Sequence, residues 1–171
     1  MIKKFIVSSL FIVGFLLNGY SQRWAVIDTK YILEKIPEYK TAQQKLNQFS
    51  EQWQLEIDRK SSELDKMHKD YEAEQVMLSD DLKKKREDQL FNKEKEVKDL
   101  QKKRYGYEGD LFKKRQELIK PIQDRVYNAV QKMAIAKLYD IILDKSEGIT
   151  VIFADPKLDR SDDVLKELGV K

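Results

Sequence analysis

Residues able to perform acid–base, nucleophilic or metal chemistry are scarce in this chain of 171 residues. One histidine and no cysteine are present, which excludes thiol catalysis, disulfides and cysteine-ligated metal sites. Asp65 and Glu72 lie at helical spacing from His68, so a weak surface metal site is one interpretation, and plain helix surface is the simpler one. The sequence has no glycine-rich phosphate loop and no basis for a serine–histidine–aspartate triad. We therefore expect no enzymatic activity and no cofactor.

The segment KKRYGYEGDLFKKR, residues 102–115, combines basic and aromatic side chains in a pattern typical of nucleic-acid binders. Glu108, Asp110 and Glu117 partly neutralise its positive charge. This balance favours an ordinary solvated surface. Binding of anionic lipid, or of the phosphates of lipopolysaccharide, is the alternative interpretation.

The N-terminal 21 residues have the layout of a secretory signal peptide, with Lys3 and Lys4 before an apolar run of 13 residues, Phe5 to Leu17. A membrane-spanning helix needs about 20 residues, so we expect cleavage after Ser21 and an exported product. Export argues against nucleic acid as a partner. Of 33 basic and 30 acidic residues, the leader holds two lysines, which leaves a net charge of +1 on the mature chain.

Two long amphipathic helices are predicted for residues 38–120. Apolar residues recur every three or four positions from Tyr39 to Leu78, between charged residues typical of solvated helix surface. The pattern breaks at VMLSDDLKK, where Ser79 can cap a second helix. A short break makes the two helices antiparallel neighbours, so the tip of the hairpin should lie near 77–81. Facing residues should then have numbers that sum to about 158.

Gly106 and Gly109 fall inside the descending helix, where each glycine costs about 1 kcal/mol. In the predicted register they face Trp53 and Phe49. The glycines would either let these rings pack against bare backbone or form a hinge. Further along, Pro121 should kink the helix where it leaves the hairpin.

Residues 22–37 and 121–171 are predicted to form a small β-rich body. RWAVID, YDIIL and TVIFA favour strands, and DKSEG favours a turn. A short terminal helix should begin at Ser161 as N-cap and end at Gly169. Three short strands leave open edges and too little core, so we expect assembly with copies of the same chain. The residues expected in that assembly are Trp24, Val26, Ile27, Val151, Ile152 and Phe153.

The layout resembles the Skp/OmpH family of periplasmic chaperones. The most specific segments are AVIDTKYILEKIPEYKTAQQKL, LIKPIQDRVYNAVQKMA and DRSDDVLKELG. The resemblance implies a mostly α-helical fold, in which a long antiparallel coiled-coil hairpin projects from a small β-rich trimerisation body. It further implies a homotrimer in the periplasm whose arms hold unfolded outer-membrane proteins without ATP, and no catalytic residues.

Client contacts on such an arm would come from adaptable apolar side chains near the tip. The candidates are Met67, Tyr71, Met77, Leu78 and Phe91. Met67, Tyr71 and Leu78 also fit the seam between the helices, which is the favoured role for these three, whereas Met77 and Phe91 lie off the seam. A structural scaffold or spacer of the cell envelope is the alternative function for the same hairpin.

Overall fold

The computed structural model describes residues 22–148 and 151–170, so the predicted signal peptide lies outside the described residues. The elements run in the order β1 (Trp24–Ile27), α1 (Thr29–Lys35), α2 (Pro37–Glu74), α3 (Asp80–Tyr105), α4 (Asp110–Leu118), α5 (Lys120–Lys137), β2 (Ile141–Asp144), a 3-10 turn (Pro156–Leu158) and α6 (Ser161–Glu167). The fold is mostly helical with a small two-stranded sheet, which confirms the predicted fold class. Within the described ranges no helix is long and apolar enough to cross a bilayer.

Helix α2 is 38 residues long, or about 57 Å at 1.5 Å per residue. It begins at Pro37, where the missing N–H of proline costs nothing. It ends at Glu74, four residues before the predicted end near Leu78. Helix α3 follows Ser79, whose backbone is extended but whose side chain makes no capping hydrogen bond. Residues 75–79 therefore form the turn of the hairpin.

Side chains that meet across the hairpin agree with the predicted register. Tyr71 donates its hydroxyl to Glu87 Oε1 at 2.7 Å, and these residue numbers sum to 158. Lys93 Nζ lies 2.9 Å from Glu63 Oε2, and these sum to 156. The pairing along the arm therefore follows the register predicted from the break at VMLSDDLKK.

The descending side of the hairpin is interrupted between α3 and α4. A Cβ at Gly106 would collide with the carbonyl oxygen of Lys102, and one at Gly109 would lie 2.8 Å from Lys103 O. The nearest atoms belong to residues 102–106 of the bend itself and are almost all backbone atoms. These contacts support the hinge interpretation, in which the glycines serve the break in the helix, and the ring-packing interpretation stays a prediction. A second break falls at Ile119, with Pro121 in the first turn of α5, as the predicted kink requires.

Both edges of β1 are occupied within the chain. Strand β2 pairs with it in parallel, Trp24 opposite Ile141. On the other edge Val26 forms a bridge with Asp159, and Arg160 N donates to Val26 O at 2.8 Å. The core beneath joins β1 to helices α1, α2, α5 and α6. Its most buried members are Ile32, Ile36 and Val164.

The predicted third strand, Thr150 to Ala154, does not form in the described part of that segment. Thr150 lies outside the described residues, and residues 151–154 have no strand conformation. The outer edge of β2 has no strand partner among the described residues, and this segment does not pair with it. Ile152 and Phe153 are consequently almost fully exposed.

Helix α6 begins one residue earlier than predicted, because Arg160 and not Ser161 occupies the N-cap position. Ser161 is instead buried, and its Oγ accepts a hydrogen bond of 2.9 Å from the backbone N–H of Asp28. This bond ties the C-terminal helix to the end of β1. The predicted stop at Gly169 is confirmed by its φ of 72°.

Asp144, at the end of β2, anchors the turn after it to the start of α1. Its carboxylate accepts hydrogen bonds from the hydroxyl and N–H of Thr29 and from the N–H of Ser146, the last at 2.9 Å. Burial acts to raise the pKa of Asp144, but these hydrogen bonds favour the ionised form more strongly and lower the pKa below its usual value.

Candidate functional site

The distal half of the hairpin is held together mainly by exposed polar pairs. Lys60 contacts Glu96, and Lys93 contacts both Glu63 and Glu96. The hydrogen bond from Lys93 lowers the pKa of Glu63, and the one from Lys60 lowers the pKa of Glu96. Exposed pairs of this kind contribute little to stability, because water and salt screen them.

Few apolar residues support these pairs along the same part of the arm. Ile57, Leu90 and Val97 are buried there, spread over much of the length of α3 and the facing part of α2. Regions with few buried apolar contacts open locally at low free energy. The arm is thus a pliable element attached to a better packed body.

His68 takes part in the same polar ladder. Its Nε2 lies 3.1 Å from Glu94 Oε1 on the opposite helix, and neither Asp65 nor Glu72 is its partner. No cluster able to hold a metal ion occurs among the residues described. His68 is therefore a cross-hairpin contact.

The five candidate client-binding residues divide into two groups. Met67, Tyr71 and Leu78 are half-buried, in line with the favoured seam role. The hydrogen bond to Glu87 engages the Tyr71 hydroxyl and raises its pKa. Met77 and Phe91 are 80% and 67% exposed, so both are free to contact another chain.

Two further exposed apolar residues at the tip were missed in the sequence. Val76 lies in the turn beside Met77, and Leu82 lies in the first turn of α3. Periodicity gives no signal for Val76, which falls beside the break, and it assigns Leu82 to the apolar pattern of the second helix. Apolar residues directly beside the predicted tip were the available clue, since the end of a two-helix hairpin has no core to bury them.

Two of the six cations in segment 102–115 are engaged in ion pairs within the chain. Arg104 donates to Asp110 at 2.6 Å and to Glu56 at 2.9 Å, and Lys114 lies 2.7 Å from Glu117. Two of these cations also lie over aromatic rings on α2, Arg104 over Trp53 and Lys114 over Phe49, each at 5.1 Å. These contacts neutralise part of the segment only, since Lys102, Lys103, Lys113 and Arg115 form no ion pair among the described residues.

Arg104 is the most highly connected of these cations. Burial acts to lower its pKa, but the hydrogen bonds to Glu56 and Asp110 outweigh this effect and raise the pKa. The guanidinium therefore stays charged, and it links the two sides of the arm where the descending helix is broken.

The sequence model of the OmpH-like outer membrane protein family matches residues 23–168. The chain belongs to the OmpH-like family. Its fold is similar to a crystal structure of a candidate outer membrane chaperone (OmpH-like) from Caulobacter crescentus CB15, with a TM-score of 0.63 and 16% identity, over 88% of this chain and 86% of that one. No curated protein sequence matches the chain.

Membership of the OmpH-like family supports a chaperone role in general terms. Such a protein works by contact surfaces, so the exposed apolar side chains are its candidate site. On the arm of this OmpH-like chain they include Val76, Met77 and Leu82 at the tip, with Leu55 and Tyr107 further from it, and on the body they include Trp24, Ile152 and Phe153.

The six predicted assembly residues are not equally available for contact in this OmpH-like chain. Val26 and Ile27 are buried in its own body, so their side chains have no free surface to offer a second copy. Val151 is half-buried. Trp24, Ile152 and Phe153 are exposed and can contact another chain directly.

Proposed function

We propose that this chain is an ATP-independent periplasmic holdase, which binds unfolded outer-membrane proteins and prevents their aggregation as a homotrimer. The observation that carries the proposal is the arm: a long hairpin, weakly held along its distal half, with exposed apolar side chains at its tip. A holdase needs many weak and adaptable contacts, because a client must stay mobile and be released.

The tip supplies contacts of that kind. Val76, Met77 and Leu82 are exposed at the end of the hairpin, and Phe91 is exposed further along α3. Unbranched methionine adapts to irregular partners. None of these side chains is needed to hold the arm closed, so they can bind a client at no cost to the fold.

Assembly would place several such arms around one client. The segment 151–153 is too exposed for a lone chain, since Ile152 and Phe153 have almost no cover. A second copy could bury both side chains and give the segment the strand partner that it lacks. The predicted signal peptide would deliver the mature chain to the periplasm, where ATP is absent. The charge pairing in 102–115 gives no added support to anionic lipid or lipopolysaccharide as partners.

Photocrosslinking tests the proposed client contact. A benzoylphenylalanine at Met77 or Phe91 should capture a urea-unfolded outer-membrane barrel after dilution. The matched control is the same group at Gln54, which is exposed on α2 and remote from the tip. Equal capture at all three positions, or none at the tip, would contradict the proposed client site.

A further inference from the structure

The break between α3 and α4 bends one side of the hairpin only. Helix α2 runs past it without interruption, from Pro37 to Glu74. Opposite, residues 106–109 leave the helix, and Glu108 takes a φ of 54°, a left-handed conformation that is uncommon for a side chain other than glycine. We call residues 104–110 the elbow of the arm.

One side chain connects all three helices that meet at the elbow. Arg104, in the last turn of α3, donates Nη1 to Asp110 in the first turn of α4 and Nη2 to Glu56 on α2. Its guanidinium also lies over the ring of Trp53, on α2. No other contact described for the elbow reaches all three helices.

This network is better shielded from water than the other ion pairs of the arm. The Arg104 side chain is 19% exposed, and both its carboxylate partners are about a third exposed or less. In the exposed pairs nearer the tip, at least one partner is about half exposed. Charge-assisted hydrogen bonds gain strength as solvent is excluded.

The position of Arg104 also carries a cost. Its Nε is buried and has no hydrogen-bond partner within the described part of the chain. Leaving a buried donor unsatisfied is unfavourable. A side chain that served solubility alone would turn this donor to water, so the guanidinium is held in place by its two carboxylates and the Trp53 ring.

We propose that Arg104 is a positioning residue that fixes the angle between α3 and α4, and with it the direction of the distal arm. The glycines permit the bend, and Arg104 sets it. One consequence rests on the proposed function: an arm freed at this point would change the space that the arms enclose around a client.

Hydrogen exchange of the mature protein, without client, tests the proposal. The amides of Gly106, Gly109 and Lys113 bond across the elbow to Lys102 O, Gly106 O and Gly109 O. In Arg104→Met they should exchange about tenfold faster, the effect of losing hydrogen bonds to charged groups. Amides of the body should not change.

Two further variants test whether Arg104 fixes the elbow specifically or stabilises the arm as a whole. Glu56→Gln should give part of the same local effect, and adding it to Arg104→Met should add nothing, because both remove one interaction. Arg86→Met removes an exposed pair with Glu74 near the tip, and it should leave the elbow unchanged.

Spin labels give a second readout, since the chain has no native cysteine. Labels on cysteines at Lys95, on α3, and Gln116, on α4, should show a broader distance distribution in Arg104→Met than in the wild type. The proposal is overturned if the distribution and the elbow exchange both stay as in the wild type. It is equally overturned if Arg104→Met, or Glu56→Gln where the former does not fold, speeds exchange uniformly along the chain.

Discussion

Removing the two exposed apolar side chains of residues 152 and 153 should abolish assembly without unfolding the chain. Ile152 and Phe153 are 97% and 84% exposed, so almost all of their apolar surface is available for burial against a second copy. Burying one such side chain stabilises by about 1.5–3 kcal/mol. The double change Ile152→Ser and Phe153→Ser therefore removes up to roughly 3–6 kcal/mol for each interface.

Ordering the segment on assembly offsets part of that gain. We accordingly expect the lower end of the range, a loss of about a hundredfold in the association constant, at 1.4 kcal/mol for each factor of ten. Because neither side chain packs in the core of its own chain, the helical content of the variant should equal that of the wild type.

Sedimentation equilibrium of the mature protein at micromolar concentration measures this directly. The wild type should be a trimer and the double variant chiefly a monomer, with circular dichroism unchanged. The matched control is Leu55→Ser, which removes an exposed apolar side chain from α2 of the arm. An equally stable trimer in the double variant, or an equal loss in the control, would refute the reasoning.

Three further predictions concern the arm and the body. Cysteines at Tyr71 and Glu87 should be joined within one chain by a short bismaleimide, whereas cysteines at Tyr71 and Val97 should not; the reverse would contradict the register. Gly109→Ala should lower the urea-unfolding free energy of the arm by about 1–3 kcal/mol, because its Cβ would lie 2.8 Å from a backbone oxygen; an unchanged midpoint would count against a tight bend. The folded pKa of Asp144 is lowered, so its stabilising contribution is present above the usual aspartate pKa of about 3.9 and is lost as pH falls through the folded value. The wild type should therefore lose more thermal stability between pH 7 and pH 3 than Asp144→Asn, and equal losses would refute that role.

The hairpin could be predicted because its signals are local and agree with one another. Apolar periodicity defined the helices, and the break around Ser79 gave their pairing. The contact between Tyr71 and Glu87 shows how closely such a break determines register. Pro121 marked the junction with the body for the same reason, since proline limits its own backbone whatever the tertiary structure.

The incorrect predictions for the body concern segments whose structure depends on residues far away in the sequence. Whether residues 150–154 form a strand depends on a free edge elsewhere, and the bridge between Val26 and Asp159 occupies one that the sequence alone gave no reason to exclude. Ser161 matched an N-cap by type, but its hydroxyl is used by the backbone of Asp28.

The elbow shows the same limit at the candidate site. Gly106 and Gly109 were recognised as special, yet packing and hinge were equally consistent with the sequence. The role of Arg104 needed coordinates, because Glu56 lies 48 residues away along the chain. In the sequence Arg104 is one of many cations in a basic and aromatic segment.

The central claim is that the mature protein holds unfolded outer-membrane proteins in solution without nucleotide. Light scattering of a urea-unfolded outer-membrane barrel, diluted with and without the chaperone, measures it most directly. We expect scattering to fall as the ratio of trimer to client rises. Combined serine replacements of Val76, Met77, Leu82 and Phe91 should weaken this effect while leaving the trimer intact, because tip and body are distant and act independently. Unchanged scattering with the wild-type trimer across a range of ratios would contradict the account and favour an envelope scaffold instead.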